Sequence, residues 1–124
     1  MRAAGRYIVF EGIGKAVLKS FDVPSPKAGE VLVESRFTVI SAGTERANLM
    51  ALPNTGTAPG GYGWDGSGGF PFYPGYCGAG RVVALGDGVF NLQVGDRVVV
   101  NWAGHSSHSI KKAADVTVIG DEAV

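Results

Sequence analysis

The stretch FPFYPGYCGAGRVVALGDGVFNLQVGDRVVV, residues 70–100, places two aliphatic runs between closely spaced glycines and prolines. GRVVAL and GDRVVV have the composition of short β-strands, and the GDG sequence that follows the first is typical of a turn. Upstream, VLVESRFTVI alternates apolar and polar residues, with Val31, Val33, Phe37 and Val39 on one face of a predicted half-buried strand. These patterns predict a mainly β domain, a partly open barrel with Greek-key-like crossings.

The remaining segments extend this prediction. RYIVF and KAVLKSF, separated by EGIG, predict a hairpin at the start of the chain, and HSIKK and VTVIG predict two strands near its end. Only TERANLMAL, residues 44–52, has the pattern of a helix. We expect Thr44 to be its N-cap, Glu45 to suit its first turn and Pro53 to end it.

Glycine is unusually abundant, and seven of the 20 glycines fall within residues 56–69. Such a segment holds neither a helix nor a strand well, so we expect a surface loop, with residues 54–69 the most mobile part of the chain. Loops of this length are either binding lids or spacers. The whole chain, residues 1–124, is expected to form one domain with this loop inserted into it.

Charge and cysteine content exclude several function classes. Eleven basic and 11 acidic residues cancel, so no field is present that would attract nucleic acid or a membrane surface. A single cysteine forms no internal disulfide, which argues against a disulfide-stabilised secreted domain. The first 20 residues lack the apolar core of a signal peptide, and the expected location is the cytosol.

Several motifs that suggest chemistry also have ordinary structural interpretations. The glycines of GYCGAG are in the wrong order for a dinucleotide fingerprint, and GIGK lacks the spacing of a phosphate-binding loop, so both are interpreted as turn glycines. Cys77 with His105 and His108 would supply three metal ligands, although their spacing also suits ordinary loop and strand positions. Cys77 alone is either a nucleophile or a small residue in a crowded turn region.

Three stretches together resemble one enzyme family: PKAGEVLVESRFTVISAGTE, the quoted residues 70–100, and the final AADVTVIGDEAV. They are similar to the N-terminal, GroES-like catalytic domain of the medium-chain dehydrogenases/reductases, which include zinc-type alcohol dehydrogenases and quinone reductases. The resemblance implies a GroES-like partly open β-barrel with one or two short helices. It also implies an oxidoreductase that uses NAD or NADP to transfer hydride to or from a carbonyl, an alcohol or an activated alkene.

The sequence departs from this family at the positions that would bind catalytic zinc. Where zinc-binding members have their cysteine and histidine ligands, this chain has Ala42 and Tyr76. Cys77 takes the place of the acidic neighbour of that histidine, and Ala47 the place of a histidine that often relays protons. Because alanine has no donor atom and tyrosine rarely binds zinc, the resemblance implies a zinc-independent member with no bound metal.

Four residues are candidates for the catalytic and substrate-pocket positions that the resemblance implies. Thr44 matches the hydroxyl that contacts the substrate oxygen, Glu45 replaces the aspartate after it, and Trp102 matches a bulky residue of the substrate pocket. Tyr76 has two interpretations: its phenol donates a hydrogen bond to a carbonyl oxygen, or its ring fills the space left by the lost ligand. The sequence indicates no cofactor-binding residues.

The chain stops at Val124, about where the family's Rossmann domain would begin. Since that domain holds the cofactor's pyrophosphate, we expect this chain to be inactive alone and to require a Rossmann domain in the same or a separate chain. The expected partners are that Rossmann domain and a small-molecule substrate. The sequence is also compatible with assembly of this protein into a homo-oligomer. Two alternatives are a stand-alone β-barrel interaction or assembly module without catalysis, and a co-chaperonin ring subunit.

Overall fold

The computed structural model describes residues 4–59 and 69–120, and its architecture is mainly β. Strands β1 and β2 form a two-stranded antiparallel sheet, and the other strands form an antiparallel sheet in the order β6-β3-β4-β5-β7. The larger sheet curls into a half-barrel, which confirms the expected GroES-like partly open barrel. The strands are β1 Ala4–Gly12, β2 Lys15–Asp22, β3 Glu30–Thr38, β4 Cys77–Leu85, β5 Arg97–Asn101, β6 His108–Lys112 and β7 Val116–Val118.

The hydrophobic core lies against the central strands of the larger sheet. Val31 and Val33 of β3 meet Val82 of β4 and Val98 and Val100 of β5, all at most 1% exposed. Alternation along β4 and β5 therefore agrees with the sequence pattern, since inward residues recur at every second position.

The prediction for the second half of β3 is wrong. Phe37 is 77% exposed and Val39 lies beyond the end of the strand and is exposed, although both were expected on the buried face with Val31. The register between β3 and β4 shifts twice, once after Leu32 and again between Ser35 and Phe37. Each irregularity changes which face the following side chains occupy, so one alternating pattern does not describe the whole strand.

The N-terminal hairpin is confirmed, and it is attached to the rest of the barrel by short pairings. Tyr7 bridges to Ser106, and Phe10 bridges to Phe72, with the two phenylalanine rings stacked at 6.2 Å. Backbone hydrogen bonds run both ways between Phe10 and Phe72. The hairpin therefore lies beside both the segment that precedes β4 and the segment that follows β5.

Helix α1 spans Ala42–Leu49, so it starts earlier than expected. Its N-cap is Ser41, whose carbonyl accepts the first helical hydrogen bond, from Glu45 N–H. Thr44 is therefore not the cap and lies inside the first turn. Thr44 is preceded by Gly43, and although glycine is a poor helix former, Gly43 is tolerated here within the first turn of α1.

The end of α1 also differs from the prediction. Pro53 does not end the helix, because Ala51 already has a left-handed backbone conformation, with φ of 52°. The N–H of Leu52 donates to Ala47 O, which satisfies a carbonyl of the last turn. A left-handed residue after the last turn is a usual way for a helix to stop.

The glycine-rich segment is not a surface loop at its N-terminal end. Thr55, Gly56, Thr57 and Ala58 are all buried, and their polar groups bond to α1 and its C-terminal end. The rest of the predicted loop, residues 60–68, lies outside the described residues. In the described part of the chain, no helix is both long and apolar enough to cross a lipid bilayer.

Candidate functional site

Two backbone segments, residues 74–77 and 102–105, lie side by side at one end of the barrel. Trp102 N–H donates to Tyr76 O at 2.9 Å, and His105 N–H donates to Pro74 O at 2.9 Å. Gly75 is needed here, because its φ is +104° and a Cβ would lie 2.5 Å from His105 N. This close pairing fixes the positions of the side chains that follow.

Tyr76 and Trp102 form an aromatic pair on this platform. Their ring centroids are 6.1 Å apart with an angle of 48° between the planes. Trp102 has a left-handed backbone, with φ of 57°, and is 79% exposed, while Tyr76 is about one-third exposed. The structure thus brings together two of the four residues chosen from the sequence and presents both rings at the surface of this domain.

Thr44 and Glu45, the other two chosen residues, lie in the first turn of α1. Thr44 is exposed, and its hydroxyl accepts a hydrogen bond from Ser41 Oγ at 3.3 Å. The Glu45 side chain is only 13% exposed and contacts the imidazole of His105. Consecutive helical residues point about 100° apart, so Thr44 faces outward while Glu45 faces the protein.

His105 is a residue of this site whose contact with α1 the sequence did not indicate. Its side chain is 9% exposed, with Nδ1 2.6 Å from the Thr38 hydroxyl and Nε2 in contact with Glu45 Oε1. A carboxylate only accepts, so Nε2 carries a proton; Nδ1 then accepts from or donates to Thr38, depending on the charge of the ring. His105 does lie in the loop between β5 and β6, in line with the expected loop or strand position, but its side chain is largely enclosed and bonded at both ring nitrogens.

Asn48 is a second contact of α1 that the sequence did not indicate. It is 6% exposed; its Nδ2 donates to Thr44 O at 3.0 Å, and its Oδ1 accepts from Gly56 N–H at 3.1 Å. The Thr57 hydroxyl donates to Asn48 O. Glu45 and Asn48 are three residues apart and so share one helical face, which is the only signal that the sequence offered.

The segment 102–105 joins the two parts of the site. It carries Trp102, which contacts Tyr76, and three residues later His105, which contacts Glu45 beside Thr44. Trp102 and His105 also line a mostly apolar cavity of about 780 Å³, together with Tyr7 and Phe21 of the N-terminal hairpin. This volume is in the range of small-molecule pockets.

The residues at this end of the barrel do not fit a zinc ion. Cys77 is half-buried at the start of β4, opposite Asn101, while His105 is occupied by Thr38 and Glu45. His108 lies against Ser107 and 3.7 Å from Glu34. Throughout residues 4–59 and 69–120, no three His, Cys, Asp or Glu side chains are placed to share a metal.

The glycines of GYCGAG have a packing role, and two of them are not turn residues. Gly78 and Gly80 lie within β4, and a Cβ on Gly80 would come within 2.1 Å of Glu34 O in β3. Cys77 is likewise a strand residue, not a turn residue. The hairpin glycine of GIGK, Gly14, does lie in a turn with φ of +69°, as expected.

Comparison with protein families identifies the domain. A model described as the alcohol dehydrogenase GroES-like domain matches residues 27–120. The chain belongs to this family. The match includes α1, β3 to β7 and all four candidate residues, so it covers the site as well as most of the barrel.

Individual relatives agree with this family. An alcohol dehydrogenase of Moraxella sp. (strain TAE123) is 31% identical over 97 residues, which are 75% of this chain and 25% of the relative. The alcohol dehydrogenase-like domain thus spans about a quarter of that protein's length.

Solved structures share the fold at lower identity. The CurK enoyl reductase has a TM-score of 0.76 at 19% identity, over 97% of this chain and 36% of its own. The 2R,3R-butanediol dehydrogenase from Bacillus subtilis has a TM-score of 0.73 at 17% identity, over 94% of this chain and 41% of its own. The human synaptic vesicle membrane protein VAT-1 homolog-like protein has a TM-score of 0.71 at 22% identity, over 98% of this chain and 37% of its own. At these identities the likeness shows a shared fold.

Proposed function

We propose that this chain is the catalytic and substrate-binding domain of a zinc-independent NAD(P)-dependent oxidoreductase, which transfers hydride to or from a carbonyl, an alcohol or an activated alkene. Family membership supports the oxidoreductase class. The observation that carries the finer proposal is the pairing of Tyr76 with Trp102, on a segment whose His105 contacts Glu45 of α1 beside the exposed Thr44.

In this proposal the domain supplies one wall of the substrate site. The Thr44 hydroxyl and the Tyr76 phenol are the two groups that donate hydrogen bonds to a substrate oxygen as negative charge develops on it. Trp102 provides a flat apolar surface beside them. Both residues are exposed to solvent, Thr44 in the first turn of α1 and Tyr76 to about one-third.

Zinc independence is supported by the residues present. Ala42 at the start of α1 has no ligand atom, and Glu45 and His105 bond to each other. Polarisation of the substrate oxygen would then depend on hydroxyl donors. Elemental analysis of the purified protein should find no stoichiometric zinc, and one tightly held zinc per chain would contradict this part of the proposal.

The nicotinamide cofactor would be held mainly outside this chain. A pyrophosphate site of the Rossmann kind needs a glycine-rich turn between a strand and a helix, and α1 instead follows β3 through Val39–Ser41, without such a turn. The residues described here therefore do not fit the whole cofactor, and we infer that the chain alone does not turn over substrate.

The test replaces Thr44 in the complete enzyme that carries this domain. Thr44→Ser keeps the hydroxyl, whereas Thr44→Val keeps the shape and removes it. Loss of one transition-state hydrogen bond typically lowers turnover by about 10²–10³. We expect Thr44→Ser to stay active and Thr44→Val to lose at least about tenfold in kcat.

Stability separates this effect from a structural one. The Thr44 side chain does not cap α1, and Asn48 bonds to its backbone carbonyl, so Thr44→Val should unfold close to the wild-type temperature. Full turnover by Thr44→Val would assign the oxygen-polarising role to Tyr76, and Tyr76→Phe would then be the variant that loses activity. If both variants keep full turnover, the proposed site is wrong.

The alternative of an interaction or assembly module without catalysis is not favoured, because the match covers the catalytic-domain sequence and not only the barrel shape.

A further inference from the structure

Helix α1 has no apolar face that would fix its rotation about its own axis. Among its eight residues only Asn48 is buried, and its exposed residues include Ala42, Gly43 and Thr44. Helices of globular domains normally gain their orientation from an apolar stripe packed on the core. Ala47 and Leu49 are only half-buried, so the orientation of α1 depends mainly on specific polar contacts.

Side chains of α1 make two such contacts, both on the same face, and Gly14 N–H also donates to Leu49 O at the C-terminal end of the helix. Asn48 bonds to the buried segment at Gly56 and Thr57, near the C-terminal end of the helix. Glu45 bonds to His105, near the N-terminal end, where Thr44 lies. Of the two, only the Glu45–His105 contact is in the turn that presents the proposed catalytic hydroxyl.

His105 is itself held by the barrel. Its N–H bonds to Pro74 O, its Nδ1 lies 2.6 Å from Thr38 Oγ1 at the end of β3, and its side chain is 91% buried. His105 is thus attached to the fold at two places, through its backbone at Pro74 and through its imidazole at Thr38, while its Nε2 faces the helix. A helix bonded to such a group is held in a defined rotation.

We propose that His105 is a positioning residue of this site, which acts through Glu45 to fix the rotation of α1 and so to aim the Thr44 hydroxyl at the substrate. The catalytic part of this inference rests on the proposed function. Because Thr44 and Glu45 are consecutive, any rotation of the helix that moves the Glu45 carboxylate also moves the Thr44 hydroxyl.

The buried carboxylate makes this contact sensitive to substitution. Glu45 Oε2 is buried without a hydrogen-bond partner, so the imidazole is the principal polar contact that its carboxylate has within the described residues. Removing the imidazole would leave a largely buried charge with no partner, which is unfavourable. The side chain would then turn toward solvent and carry the first turn of α1 with it.

The first test measures amide hydrogen exchange in this 124-residue chain. In His105→Ala, exchange at residues 46–49 should be about tenfold faster, with the β3–β4 amides unchanged. His105→Gln restores a donor near Nε2 but does not also bond Thr38, so it should give an intermediate rate. His108→Gln is the matched control, since His108 lies near Glu34 instead, and it should exchange like the wild type.

The second test is a double-mutant cycle on kcat in the complete enzyme. His105→Ala should lower kcat by about tenfold or more with KM nearly unchanged, and His105→Gln should recover part of it. Combined with Thr44→Val, the loss should be far smaller than the product of the two single losses, because both act through one hydroxyl. A purely structural role for His105 would instead give multiplicative losses.

Each outcome decides the inference. Wild-type exchange in α1 of His105→Ala, or multiplicative losses in the cycle, would overturn it. If His105→Ala does not fold, His105→Gln replaces it in both experiments, with changes in the same direction and of smaller size. If the complete wild-type protein transfers hydride to no carbonyl, alcohol or alkene, the proposed function fails, while the exchange experiment still tests whether His105 holds α1.

Discussion

Replacing Asn48 with alanine should measure how much of the domain's stability depends on the contact between α1 and the segment 55–58. Asn48 is 6% exposed, and its Oδ1 accepts from the buried Gly56 N–H at 3.1 Å. Leaving that N–H unpaired costs about 1–3 kcal/mol, and the lost Nδ2 bond to Thr44 O adds up to about 1 kcal/mol. Alanine regains about 0.5 kcal/mol as a better helix former.

The expected net loss is therefore about 1–3 kcal/mol of unfolding free energy, or a fall in Tm of roughly 4–15 °C for a domain of this size. Urea unfolding followed by circular dichroism measures it, and hydrogen exchange should show faster exchange at Gly56. Arg46→Ala is the control, because Arg46 is exposed on the same helix. If Asn48→Ala unfolds within about 0.5 kcal/mol of the wild type, the burial and bonding of this segment do not stabilise the fold as argued.

Three further predictions concern the barrel, the hairpin and the cofactor. Gly80→Ala should destabilise the domain by at least about 2 kcal/mol, because its Cβ would meet Glu34 O, whereas Gly12→Ala, with open space around it, should be nearly neutral in the same unfolding assay. The hydrogen bond from Lys19 holds the pKa of Glu11 below its usual range. The stabilisation from this exposed pair is therefore present above the unfolded-state pKa of Glu11 and is lost as pH falls through its folded-state pKa. NMR titration should show a higher Glu11 pKa in Lys19→Met than in the wild type, and an unchanged pKa would contradict this cause. Calorimetry should detect no micromolar binding of NADH or NADPH to this chain alone, and such binding without a partner chain would refute the division of the cofactor site.

The strands and the family were determined by the sequence alone. Alternating valines in GRVVAL and GDRVVV, the glycines between them and the hairpin at EGIG predicted elements that the structure contains, because these patterns depend on neighbours close in sequence. The motif resemblance likewise identified the GroES-like domain, which the family match over residues 27–120 confirms.

Other features depended on contacts between distant residues. The outward turn of Phe37 follows from register shifts against β4, and the burial of Thr57 follows from its bond to Asn48, neither of which local patterns record. The same is true of His105, which is 60 residues away from Glu45 in the sequence. The GHSSH sequence is typical of an ordinary loop and does not single out His105. The pairing of segments 74–77 and 102–105 is what places the His105 ring against the helix that carries Thr44. Periodicity reports which face a residue occupies within its own element, but tertiary packing decides which buried polar groups meet.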